Sequence, residues 1–367
     1  MRAILVLFLA LTAVTASATQ AVRGAPPRAV VPAGAMQVPR AVHTATRLAG
    51  GDVLIVGGCT VQGCELGGSD GRTAEIFDAV DQQFVGAGEL REWRDDHVAA
   101  LLRDGRVLVA GGWGAHGVIA TSELYDPARR TFVPGPRMRS RRAGTTATVL
   151  RDGRVLIAGG FTDNRPTIST AEVFVPGNDQ FRPVGRMGIP RGAHAAALLL
   201  NGRVLIAGGL SNGRVVRSTE LFDPRTGRFS RGPSLEVPRY KAGAMTLADG
   251  RVLVIGGSGD IEGRVVYRTT ELYDPRLNRF LPGPTMRHAR YKLTGSVVRL
   301  PDNRVLVAGG AAIPELFDPL GGRFQPVRGR IDSTRLFLTA TLAGNGSVLL
   351  VGGYDLSLMP TALAWRY

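Results

Sequence analysis

The chain contains two lysines, Lys241 and Lys292, among 45 basic residues. Each stands in an Arg-Tyr-Lys triplet, at 239–241 and 290–292. Two neighbouring Tyr-Lys pairs would join cationic and aromatic surface, which suits sugars and acidic groups. The alternative is duplication of one segment with no function attached. The arginines of these triplets belong to a larger set. Arg40, Arg94, Arg142, Arg191, Arg239, Arg290 and Arg335 each precede a Gly-Gly pair, six of them at one fixed distance. Arg290 lies two residues further back because its segment carries the longer turn LPDNR. A guanidinium fork matches carboxylate, sulfate or phosphate. The seven could therefore gather an anion, or they could bond neighbouring carbonyls as part of the frame. His43, His97 and His194 share another position of the repeat; the first two lie in neighbouring units and could approach each other, but His194 lies farther along, and no metal is expected. Asp95-Asp96, between Arg94 and His97, reads as a general base or as a local ion pair. Glu75, Glu123, Glu172, Glu220, Glu271 and Glu315 are six copies of one position. A catalytic carboxylate is normally singular, so these read as architecture.

The elements that carry these residues recur. A β-branched run closing on Gly-Gly appears seven times, ending at Gly58, Gly112, Gly160, Gly209, Gly257, Gly310 and Gly353. Successive spacings run from 43 residues (Gly310 to Gly353) to 54 (Gly58 to Gly112), the period of a four-stranded blade. Ahead of each run lies a shorter apolar stretch, in several units ending in Asp-Gly or Asn-Gly, such as Asp104-Gly105 or Asn201-Gly202. These pairs favour the positive φ of a tight hairpin. After a variable loop comes a third strand such as SELYDP or TELFDP. A fourth begins at Phe84, Phe132, Phe181, Phe229, Phe280 or Phe324. No amphipathic helical pattern intervenes, so the chain reads as a closed all-β array.

The Gly-Gly strand, the downstream E-x-Y/F-D-P and the later Phe resemble the Kelch repeat across essentially all of the chain after its leader. Phe stands where many Kelch repeats place a Trp. The resemblance implies a seven-bladed β-propeller with four antiparallel strands per blade. It also implies that the arginine-bearing connections open beside a central channel, with the loops after Gly-Gly on the same face. The candidate ligand site at that mouth comprises the seven arginines, Tyr240, Lys241, Tyr291, Lys292, His43, His97 and His194. Exported Kelch-like propellers include sialic-acid mutarotases and copper-radical oxidases. The oxidases need two Tyr, two His and a Cys crosslinked to one Tyr. Here both cysteines lie in CTVQGC with no Tyr adjacent, and no cofactor is expected.

The seventh unit, LFLTATL, SVLLVGG and TALAWRY, lacks a fourth strand. Val30 to Met36 aligns without gaps to Phe132–Met138 and to Phe181–Met187. Residues 28–37 are therefore expected to form the outer strand of the blade made by 331–367, pairing two otherwise open edges. Residues 28–367 then form one propeller after a linker at 19–27. Residues 1–18 read as a cleaved secretory signal: Arg2, an apolar run from Ala3 to Val14, then Ala16-Ser17-Ala18. The run is too short to span a bilayer comfortably, so a secreted or periplasmic destination without a membrane span is expected. Cys59 and Cys64 read as a disulfide, worth about 2 kcal/mol for so short a loop, the alternative being two free thiols. The net charge of +15 favours encounter with polyanions, although the arginine skew also fits genomic base composition. The expected partner is an anionic glycan, an envelope polymer or an acidic protein segment, bound by a monomer without specific nucleic-acid recognition. A carbohydrate-active enzyme on the same propeller is the alternative.

Overall fold

A computed structural model describes residues 29–64 and 69–367. The expected signal sequence, the whole linker and residue 28 of the expected closing strand lie outside the described residues. The chain forms a seven-bladed propeller. Blade 1 runs Thr44–Arg47, Val53–Val56, Thr73–Phe77 and Phe84–Glu89, paired in that order and antiparallel. Blades 2 to 6 repeat the pattern, and their innermost strands begin at Val98, Thr146, Ala195, Gly243 and Val297. Two 3-10 turns, Gln62–Cys64 and Ser69–Arg72, are the helical elements among the described residues. None is long and apolar enough to cross a membrane.

Blade 7 closes as the alignment requires. Its chain-terminal strands Thr339–Leu342, Val348–Val351 and Thr361–Arg366 accept the N-terminal strand Ala29–Arg40 on the outside. Val31 faces Arg366 and Pro32 faces Trp365 in an antiparallel register. The strand is longer than the expected 28–37 and irregular after Pro32. Gly34, with φ of 85°, sits at that break, where an L side chain would be strained.

Packing follows from alternation. The second strand of blades 1 to 5 and of blade 7 is buried along its whole length, and so is the shorter one of blade 6. Each interblade core joins two neighbours. Leu54, Val56 and Ile76 of blade 1 meet Val107, Val109 and Tyr125 of blade 2. The closing blade is sealed on both sides. Val30 joins Leu306, Leu350 and Trp365, while Met36 joins Val53, Ile55 and Phe77 of blade 1. The Phe that opens each fourth strand of blades 1 to 6 packs on the aromatic of strand three, with ring centroids 4.8 Å apart for Tyr125–Phe132 and 5.3 Å for Tyr273–Phe280.

Candidate functional site at the channel mouth

The arginine, glutamate and Gly-Gly positions form one structural device. Arg142 Nη1 donates to the Gly159 carbonyl at 2.8 Å and to Thr170 O at 2.9 Å, and Nη2 donates to Glu172 at 2.8 Å. Glu172 also accepts the backbone N–H groups of Arg139 and Ser140. Arg40, Arg94, Arg191, Arg239 and Arg290 repeat the arrangement with Glu75, Glu123, Glu220, Glu271 and Glu315. All six arginines are buried. Arg335 has no strand-three Glu to meet, because its blade reads TALAWR there, and it pairs with Asp332 instead.

The arginine carbonyls have a second role. The N–H of the second glycine in every blade donates to the arginine carbonyl of the next: Gly58 to Arg94, Gly112 to Arg142, Gly160 to Arg191 and so on. This close approach explains the glycines. Gly57 and Gly58 have φ of 60° and 96°, and a Cβ on Gly57 would lie 2.7 Å from Arg94 O. The expectation that these arginines face a ligand is therefore corrected for their side chains. Burial puts the guanidinium groups in the wall, where they hold blade connections.

The three histidines also sit in the wall. His43, His97 and His194 are buried, and each Nε2 lies 2.9 Å from a hydroxyl of the preceding blade, respectively Thr339, Thr44 and Thr146. Burial, reinforced by the charge of the nearby arginine, lowers His43 and His194 to about 3 and His97 well below its usual value. They are neutral staples between blades.

The residues two positions after each arginine share one backbone conformation around the channel. Val42, Asp96, Gly144, Ala193, Lys241, Lys292 and Phe337 all have φ between 47° and 56°. Backbone bonds link most of them in a hoop: Asp96 N to Val42 O, Gly144 N to Asp96 O, Ala193 N to Gly144 O, Lys241 N to Ala193 O and Phe337 N to Lys292 O. Val42, Asp96 and Phe337 line a central cavity of about 310 Å³ whose walls below are mostly Thr and Ala.

The two lysines lie on adjacent blades and converge. Lys241 Nζ is 4.9 Å from the ring centres of both Tyr240 and Phe337. Lys292 Nζ is 5.0 Å from the rings of Tyr291 and Tyr354, and 5.7 Å from that of Phe337. It also donates to Tyr354 Oη at 2.7 Å. Burial lowers both lysines. Asp96 opposes this for Lys241, and the Lys241 charge adds to it for Lys292, which falls to about 8. Burial raises Asp96, against the pull of Lys241 and Arg165, and raises its neighbour Asp95 to about 8. Phe337 and Tyr354 were not among the residues singled out from sequence. Counting two residues on from each arginine finds the first, but nothing local marks the second.

Cys59 and Cys64 are joined as a disulfide in the loop after Gly58. That loop meets the corresponding loop of blade 7 through Gly63 N to Leu358 O. Val61, Leu356, Leu358 and Met359 are exposed there.

Residues 191–236 match the Kelch motif. No curated protein matches the sequence. Among solved structures, a fungal alcohol oxidase of the AA5 family in complex with copper is similar, with a TM-score of 0.70 and 17% identity. The likeness covers 92% of this chain and 75% of that one, and at this identity it concerns the fold. The chain is thus a seven-bladed propeller with a Kelch motif at 191–236, similar in fold to that oxidase.

The residues do not fit a copper-radical centre. Among the described residues no three His, Cys, Asp or Glu side chains gather in a metal-binding group. Both cysteines are consumed in one disulfide, and the three wall histidines spend Nε2 on threonine hydroxyls.

Proposed function

We propose that this chain is an exported binding module whose mouth takes a carboxylated glycan. The observation that carries the reading is the convergence of Lys241 and Lys292 on one aromatic cluster. Ammonium groups attract a carboxylate, and the half-buried ring of Tyr291, backed by the buried rings of Tyr240, Phe337 and Tyr354, offers apolar surface to a sugar. The Cys59–Cys64 disulfide supports an oxidising destination outside the cytoplasm.

Glycans bearing uronic or sialic acid should bind, with affinity falling as salt rises. Lys241→Ala and Lys292→Ala together should abolish binding, and Asp96→Asn should strengthen it several-fold by removing a competing negative charge. Titration calorimetry against charged glycans, their neutral counterparts and acidic peptides tests this. Equal binding of neutral glycans, or binding unchanged in the double lysine variant, removes the reading. Preference for peptides replaces the glycan by an acidic protein segment.

A second reading is sugar mutarotation, favoured by Asp95, which is held partly protonated near neutrality and adjoins the mouth residue Asp96. Accelerated anomer exchange observed by NMR, lost in Asp95→Asn, would establish it.

A further inference from the structure

We propose that Lys292 is a nucleophilic amine that condenses with an aldehyde at the channel mouth, with Tyr354 as its proton partner. Three geometric facts support this. Lys292 Nζ stands among the rings of Tyr291, Phe337 and Tyr354, within 5.0 to 5.7 Å of their centres. Its bonded partner, 2.7 Å away, is a phenol rather than a carboxylate. Phe337, over whose ring the ammonium lies, also lines the cavity of about 310 Å³, and Lys292 itself is half-buried rather than sealed, so a small aldehyde would approach the nitrogen past that ring.

A lysine enclosed by apolar surface and set beside another cation surrenders its proton readily and becomes nucleophilic. Both conditions hold here. Burial and the Lys241 charge bring Lys292 to about 8. At pH 7.5 roughly a quarter of such a group is free amine, against about a thousandth of an ordinary lysine. Tyr354 is raised by burial and by its charged and phenolic neighbours, Tyr291, Asp96 and Tyr240, so its hydroxyl stays protonated and can donate. Lys241 differs. Burial lowers Lys241 too, but the Asp96 carboxylate opposes that and favours the charged form, and among the described residues no hydroxyl bonds its Nζ.

The reaction balances without an oxidant or reductant. The Lys292 lone pair adds to the carbonyl carbon to give a carbinolamine. The C–O bond then breaks, and the oxygen leaves as water with the two amine hydrogens. The C=N bond of the imine remains. Tyr354 is placed to give a proton to the departing oxygen and to recover one from nitrogen. The ligand class is an aldehyde, such as the open-chain form of a reducing sugar.

The chain's two lysines make the test clean. Intact mature protein is incubated with glyceraldehyde and cyanoborohydride, and the reduced adducts are located by peptide mass spectrometry. The adduct should form at Lys292 at least tenfold faster than at Lys241 or the chain's α-amine. Its rate should rise with pH and level off above about 8. Lys292→Arg should lose that adduct, and Tyr354→Phe should slow it several-fold without lowering the melting temperature. Equal labelling of both lysines, a rate no faster than that of free lysine, or a rate still climbing at pH 10 overturns the proposal. Because the primary comparison uses unmodified protein, a variant that fails to fold does not decide it. The inference is independent of glycan binding: labelling at Lys292 without anion affinity would remove that reading and leave this one.

Discussion

The N–H of Gly353, in the last blade, donates to the carbonyl of Arg40, at the entry to the first, at 2.9 Å. The same bond joins every other pair of adjacent blades. The ring therefore closes through its repeated interblade contact, besides the strand pairing inside blade 7.

Replacing Gly353 by alanine should be costly. Its φ is 88°, and a Cβ would meet Leu336 O and Leu338 N at 2.9 Å. Gly346 has a similar φ of 85° but open space around it. Gly346→Ala should cost about 1 kcal/mol from backbone strain alone. Gly353→Ala should cost at least twice as much, and urea unfolding of the two variants provides the comparison. Equal losses would show that the close approach is unimportant.

Deleting residues 19–38 should unfold the ring at ordinary temperatures. The deletion removes Val30 and Met36 from two interblade cores and exposes the edge of Thr361–Arg366. Calorimetry would detect the loss, and an unchanged melting temperature would refute the role given to this strand.

The Arg142–Glu172 pair should behave as one unit. Arg142→Met or Glu172→Gln alone leaves a buried group uncompensated and should cost about 3–5 kcal/mol. The double variant should lose clearly less than the sum. A double-mutant cycle by chemical denaturation measures the coupling, and additive losses would contradict the shared network.

The histidine staples predict acid sensitivity of a definite sign. His194 is held at about 3 in the folded chain, against 6.5 unfolded. Below pH 6.5 the unfolded chain binds a proton that the folded chain refuses. Stability from this group therefore falls as pH drops through the window from 6.5 to 3, by up to about 1.4 kcal/mol per pH unit. His194→Gln cannot titrate. Its penalty relative to the parent protein should shrink by about 2 kcal/mol between pH 7.5 and pH 5, measured by urea unfolding at each pH. A constant penalty would mean that His194 takes up its proton in the folded state.

The strands were legible in the sequence because their signals are local. Asp104-Gly105 demands a tight turn, and the run from Val107 to Ala110 needs cover on both faces. The closing strand was legible because Met36 aligns with Met138 and Met187, and all three are buried. The direction of the arginines was not legible. A guanidinium turned to solvent and one turned to a glutamate leave the same letter at the same spacing. The Glu positions were read as architecture, but only the fold places Glu172 beside Arg142. Tyr240, Lys241, Tyr291 and Lys292 were found because they break the repeat. Tyr354 was missed because it reaches Lys292 from another blade, 62 residues along the chain.

The hoop of left-handed residues has a further consequence. Valine, aspartate, glycine, alanine, lysine and phenylalanine all occupy it with nearly the same backbone. The frame is set by main-chain bonds that do not depend on side-chain identity. Gly144 apart, these positions therefore act as interchangeable sockets on a fixed bezel. A library varied at Val42 and Ala193 alone could re-specify the opening of this propeller while every blade stays in place, with Gly144 kept because a Cβ there would lie 2.8 Å from the Phe161 ring.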